Sequence, residues 1–224
     1  MDNPWKNFEC SNGSMILTVD RDAIDLYNSS RRSESKKVVA DSIPSPFIGD
    51  TSSARLVLLN LNPGHLPADL ENQQEPNFKK AMVLTLTHEL KDFPFYPLDP
   101  QFGDTEAGKW WNRKLDPLKQ ASELDYAALS QMIMVIEWFP YHSVKSGLPE
   151  KPFCKSQEYS FYLAKKMLHK PDVFIVRMRS KRHWCSASSE FENVGFLTNK
   201  QCPWISKGNM DEGLFERIIE RLRQ

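Results

Sequence analysis

The chain has 224 residues, 40% of them hydrophobic, which suits one large domain and is enough to bury a proper core. Lysine plus arginine and aspartate plus glutamate number 29 each, so no global basic field exists to hold nucleic acid by charge alone, although a local basic face is not excluded. Cys10, Cys154, Cys185 and Cys202 show no CxxC pairing, and neither they nor the five histidines have metal-ligand spacing. The polar opening MDNPWKNFEC lacks a secretory core, and no apolar run approaches the roughly 18 residues needed to cross a bilayer. The expectation is a cytoplasmic protein with reduced thiols, no membrane, no metal and no other cofactor.

Residues 1–50 are poorly patterned and read as an irregular extension of a single domain spanning 1–224. A short helix fits Asp20 to Tyr27, and the polar run SSRRSESKK after it reads as an exposed, mobile loop. Arg55 to Leu61 is the first strand, continuing into LVLLNLNPGH, residues 56–65. Helices are expected over Asn77 to Leu90 and Ala107 to Gln120. Between them DFPFYPLDPQFGD is too apolar for a solvated linker and is expected to pack over something. QMIMVIEWFPYHS, 131–143, is strand-like up to Pro140. Ser156 to Lys170 reads as an amphipathic helix with Ser156 as its N-cap and Pro171 stopping it. Two strands follow, at 172–180 and 194–199. A last helix runs to Arg223, with Asn209 and Glu212 in capping-box positions.

Continuous apolar strands separated by helices indicate a parallel sheet covered on both faces. The expected fold is a three-layer α/β/α sandwich with a central, mostly parallel, four-stranded sheet. Ligands of such sheets bind outside the carboxyl ends of the strands. The first strand delivers Asn60, Asn62 and His65 there, and the second Glu137, Tyr141, His142 and Ser143. The third delivers Arg179, Lys181, Arg182 and His183, and the fourth Asn199, Lys200 and Gln201, followed by CPWISKGN.

NLNPGH at the end of a first strand resembles the first signature of the uracil-DNA glycosylase superfamily. It is most similar to the mismatch-specific and single-strand-selective branches, whose motif reads Gly-x-Asn-Pro-Gly. The second signature follows the last strand and begins His-Pro-Ser or Asn-Pro-Ser; the corresponding piece here is NKQCPWISKGN, 199–209. The resemblance spans roughly residues 50–210 and implies a uracil-DNA glycosylase-like fold, DNA as partner, and hydrolysis of an N-glycosidic bond after base flipping. It implies that Asn62 orients the attacking water and that Asn199 contacts the base or its anion. Asn60, His65 and Glu137 would bind the base, with a stacking ring drawn from Phe93, Phe95 or Tyr96. DNA would lie against Arg179, Lys181, Arg182, Lys200 and Ser206, with Trp204 as a wedge in the stack. Three residues depart from the pattern. Asn60 stands for a glycine, Lys200 for the proline of the second motif, and Glu137 near an asparagine that reads uracil. An ionised Glu137 only accepts hydrogen bonds, so a base offering an amino group suits it better.

Other readings stand beside these. Asn62-Pro63-Gly64 is also an ordinary turn, and Glu137 is either a buried partner of Arg177 or Arg179, or a pocket residue. Trp110 and Trp111 fit helix packing or base stacking. RMRSKRHW, 177–184, fits a solvated strand end or a phosphate-contacting rim. Adjacent residues of a strand point to opposite faces, which makes His142 and Ser143 a poor nucleophilic dyad. Functionally the alternatives are a glycosylase, a degenerate relative that binds nucleic acid or a nucleotide without cutting it, and a hydrolase of small nucleosides.

Overall fold

The run LVLLN lies in the middle of a sheet. The computed structural model describes residues 1–8 and 13–224; Cys10 falls outside them. The strands are β1 (Phe47–Ile48), β2 (Leu56–Asn60), β3 (Ile133–Glu137), β4 (Phe174–Arg177) and β5 (Gly195–Phe196), in spatial order β1–β3–β2–β4–β5. β2 pairs in parallel with β3 and β4, and β4 with β5; β1 runs antiparallel along β3. Leu56 to Leu59 and Ile133 to Ile136 are buried, as expected of parallel strands covered on both faces. The sheet therefore has five strands, not the four expected. The extra one is two residues long, too short to carry an alternation that a sequence could display.

Around the sheet lie α1 (Arg21–Ser29), α2 (Pro67–Asn72), α3 (Pro76–Leu86), α4 (Glu106–Ser122), α5 (Tyr126–Met132), α6 (Gln157–Leu168), α7 (Lys181–Ala187) and α8 (Leu214–Leu222). From β2 the chain crosses to β3 on one side, then returns past β2 to β4 on the other. Right-handed crossovers in opposite directions put their helices on opposite faces, an arrangement compatible with three layers. Local chemistry sets the helix starts. The Glu75 carboxylate accepts from the amides of Asn77 and Phe78 with Pro76 at the first helical position, Thr105 Oγ1 accepts from Gly108, and Asp125 from Ala128.

Several elements differ from expectation for identifiable reasons. The apolar run at 131 begins inside α5, so its strand starts only at Ile133. The strand expected over 172–180 ends at Arg177; Ser180 turns left-handed (φ 64°) and Lys181 onward is α7. Ser156 precedes α6 but makes no side-chain cap; Gln157 Oε1 instead accepts from the amides of Phe153 and Cys154. The capping box expected at Asn209 is absent. α8 starts at Leu214 after Gly213 (φ 74°), and the Asn209 side chain holds the preceding loop, accepting from Thr198 Oγ1 and the Asn199 amide and donating to the Cys202 and Trp204 carbonyls.

The amino-terminal extension belongs to the core. Trp5, Ile24 and Ile43 are buried, and the Asp20 carboxylate, fully buried, accepts from Tyr141 Oη (2.6 Å) and the Ser156 amide (3.1 Å). SSRRSESKK is largely exposed yet pinned, since the Ser35 carbonyl accepts from the Lys145 amide and Asn28 brackets Val38. DFPFYPLDPQFGD forms two short 3-10 turns that bury Phe95, Tyr96, Leu98 and Phe102. Cys154, Cys185 and Cys202 are free thiols.

Candidate functional site

Beyond the sheet, the segments that follow β2 and β3 continue side by side. The amides of Trp138 and Phe139 donate to the Asn60 and Leu61 carbonyls, the Ser143 amide donates to Pro63, and Gly64 bridges Ser143 in parallel. The indole of Trp184 donates to the Asn60 carbonyl from the α7 side (2.7 Å). Pro63 suits this junction, having no amide that needs an acceptor. Between these segments, α2 and the start of α4 lies a cavity of about 320 Å³, at the small end of ligand sites.

Asn60 and Glu137 are register partners in β2 and β3. Asn60 Nδ2 donates to Glu137 Oε1 (2.9 Å), while Oε2, also buried, has no hydrogen-bond partner among the described residues. Burial pushes the Glu137 carboxyl up to about 8, against weaker opposing pulls from the Asn60 bond and the Arg179 charge. The ion pair with Arg177 or Arg179 does not form: no salt bridge involves Glu137 among the described residues, and the Arg177 guanidinium donates to the Phe191 carbonyl. Glu137 is a pocket residue.

Asn62 Nδ2 donates to Ser143 Oγ (2.9 Å) and to the Pro63 carbonyl (3.0 Å). A carbonyl only accepts, so the amide nitrogen must face it and Oδ1 is left as the free acceptor. By the same argument His142 Nδ1 carries a proton and donates to Gly64 (2.6 Å). Burial holds the His142 imidazole below its ordinary value, and it is neutral at neutral pH. The His65 ring stands edge-on to it at 6.2 Å.

The cavity gathers Asn60, Asn62, His65, Tyr96, Glu137 and Arg179 of the anticipated residues. Phe95 is not among them; it is fully buried, edge-on to Trp111 at 5.0 Å. Asn199 also lies outside, for its Oδ1 accepts from the amides of Gln201 and Cys202. Asparagine closing a turn on its own backbone is common, and it withdraws the second signature from the pocket. Arg179 opens onto an adjoining groove of about 240 Å³ shared with Lys181, Lys200 and Thr198, where Glu192 neutralises part of the charge, 3.7 Å from Lys181. Arg182 pairs instead with Glu150 (3.0 Å). Trp204 is 44% exposed with the Lys114 ammonium over its ring, and Ser206, half-buried, precedes the turn at 207–209.

Four further lining groups were named in the sequence without a role in base binding. His142 and Ser143 both face the cavity because they lie past the end of β3, where strand alternation no longer applies. Trp110 and Trp111 also line it, Trp110 half-buried and Trp111 buried, with rings edge-on at 4.6 Å. Their signal was a tandem tryptophan just inside a helix that follows an aromatic connection.

Among the described residues no cluster of three or more His, Cys, Asp or Glu side chains could hold a metal ion, and no helix is long and apolar enough to cross a membrane. No family model, curated protein or solved structure matches the chain.

Proposed function

We propose that the protein takes a nucleobase into this cavity and hydrolyses the N-glycosidic bond that joins it to deoxyribose in DNA, as a divergent three-layer relative of the uracil-DNA glycosylases. The observation that carries the reading is the fixed amide of Asn62. With both N–H groups engaged, its Oδ1 accepts from a water and aims the water's free lone pair outward. The water oxygen bonds to the sugar's anomeric carbon as the carbon–nitrogen bond breaks. Its electron pair leaves with the base, and the water's proton passes to solvent or to the base. An amide orients the water but does not take its proton, so turnover is slow.

Two further features support the reading. The chain leaves β2 towards β3 and leaves β4 towards β5 in the opposite direction, so the crevice between β2 and β4 is a topological switch point, and the cavity, built mainly on the segments after β2 and β3, adjoins it through Arg179. Arg179, Lys181 and Lys200 beside the cavity suit a phosphate backbone next to an extruded base. The withdrawal of Asn199 favours a second reading, the same pocket gripping a base without cleaving it.

One experiment separates them. Duplex and single-stranded oligonucleotides carrying uracil, mismatched thymine, hypoxanthine or xanthine, together with free nucleosides, are incubated with the protein. Cleavage that Asn62→Ala lowers by about 10²-fold, the cost of a misplaced reacting group, is expected. An uncut panel that is nonetheless bound leaves the binding reading; cleavage of nucleosides alone removes DNA as the substrate; no binding removes both readings.

A further inference from the structure

Asn60 Nδ2 donates to one oxygen of the Glu137 carboxyl, and the other, the buried Oε2 of this cavity-lining residue, has no partner among the described residues. An unsatisfied buried oxygen is costly in the free protein, and a ligand that completes its hydrogen bonding recovers that loss. We propose that Glu137 is the base-discriminating residue of the cavity, donating a proton from Oε2 to a ring carbonyl oxygen of the bound base. This deepens the base-recognition reading and rests on it.

The pair has a defined polarity. With Nδ2 turned to Glu137, Asn60 has its Oδ1 left as an acceptor. A carboxyl that donates complements a ring C=O, as in uracil or hypoxanthine. A base with an exocyclic amine at that position sets donor against donor. The expectation from an ionised glutamate, a preference for amino bases, is thereby reversed. Burial keeps the proton on Glu137 at neutral pH, with a carboxyl at about 8. The other titratable groups on the walls are His65 after β2, Asp69 of α2, Tyr96, Glu106 of α4, His142 after β3, and Arg179 after β4. Of these, Arg179 acts on Glu137 directly and pulls the other way, while His142 is held neutral.

The test titrates the full chain with uracil and hypoxanthine, and separately with cytosine and adenine, following the indole resonances of Trp110 and Trp111 by NMR. Oxo-bases bind at least about tenfold tighter than amino bases, the factor one hydrogen bond supplies. Their affinity falls by about fourfold from about pH 6.5 to about pH 8.5 as Glu137 ionises. In Glu137→Gln the Asn60 amide holds the Gln oxygen and leaves an NH₂ donor at the cavity, so the preference survives and the pH dependence vanishes. Equal binding, an amino-base preference or a flat wild-type pH profile would overturn the assignment while leaving base recognition standing. Binding of neither class removes base recognition and this inference with it. The wild-type profile decides the matter even if the variant fails to fold.

Discussion

Both amide protons of Asn62 are engaged by Ser143 Oγ and the Pro63 carbonyl, and this distinguishes substitutions at that position. Alanine removes the water's acceptor. Aspartate keeps an oxygen there and adds basicity, so Asn62→Asp is expected to retain far more cleavage than Asn62→Ala in single-turnover assays. His142 gives a stability test. Its imidazole is neutral in the fold because burial lowers its pKa, so the unfolded chain binds the proton first as pH falls. Stability is therefore intact above the ordinary histidine range and lost as pH drops through it. In His142→Asn, which keeps a donor for the Gly64 carbonyl, the acid limb of urea-melting curves flattens. An unchanged acid limb would mean that His142 is not the group responsible. The pocket asparagines and Glu137 were legible in the sequence because the last residue of a buried parallel strand marks the carboxyl edge. Asn199 and Phe95 were not, since a turn asparagine bonds either a ligand or its own backbone, and PFYP does not say which ring turns inward.

At the scale of elements, β2, β3 and β4 were legible from their apolar runs, and α4 from its apolar spacing. The helices α5 and α7 were hidden because each abuts a strand with no break in residue type: QMIMVIE runs from helix to strand, and RMRSKRH from strand to helix. The tight entry to α4 offers a check on the packing. A β-carbon at Gly108 would lie 2.1 Å from the Phe102 carbonyl oxygen. Gly108→Ala must therefore shift the start of α4, which carries Trp110 and Trp111 into the cavity. We expect a loss of about 1–3 kcal/mol in urea melts, together with altered indole resonances. A variant as stable as the parent would contradict that packing.

For the molecule as a whole, charge is balanced but not evenly spread. Arg179, Lys181 and Lys200 meet at one groove beside the cavity. Each phosphate contact contributes about one unit to the slope of log affinity against log salt, so Arg179→Ala with Lys181→Ala is expected to lower that slope by about two for an oligonucleotide. An unchanged slope places nucleic acid elsewhere. Asp20 links distant parts of the fold, and Asp20→Ala leaves Tyr141 Oη and the Ser156 amide buried without their acceptor, at about 1–3 kcal/mol each. Tyr141 is followed directly by His142 and Ser143. The pocket's far ledge thus leans on the start of α1, outside the sheet and far from the cavity in sequence. A proteolytic nick or a bulky fusion ahead of α1 would slacken that ledge from a distance and dull ligand recognition without touching any residue that meets the guest.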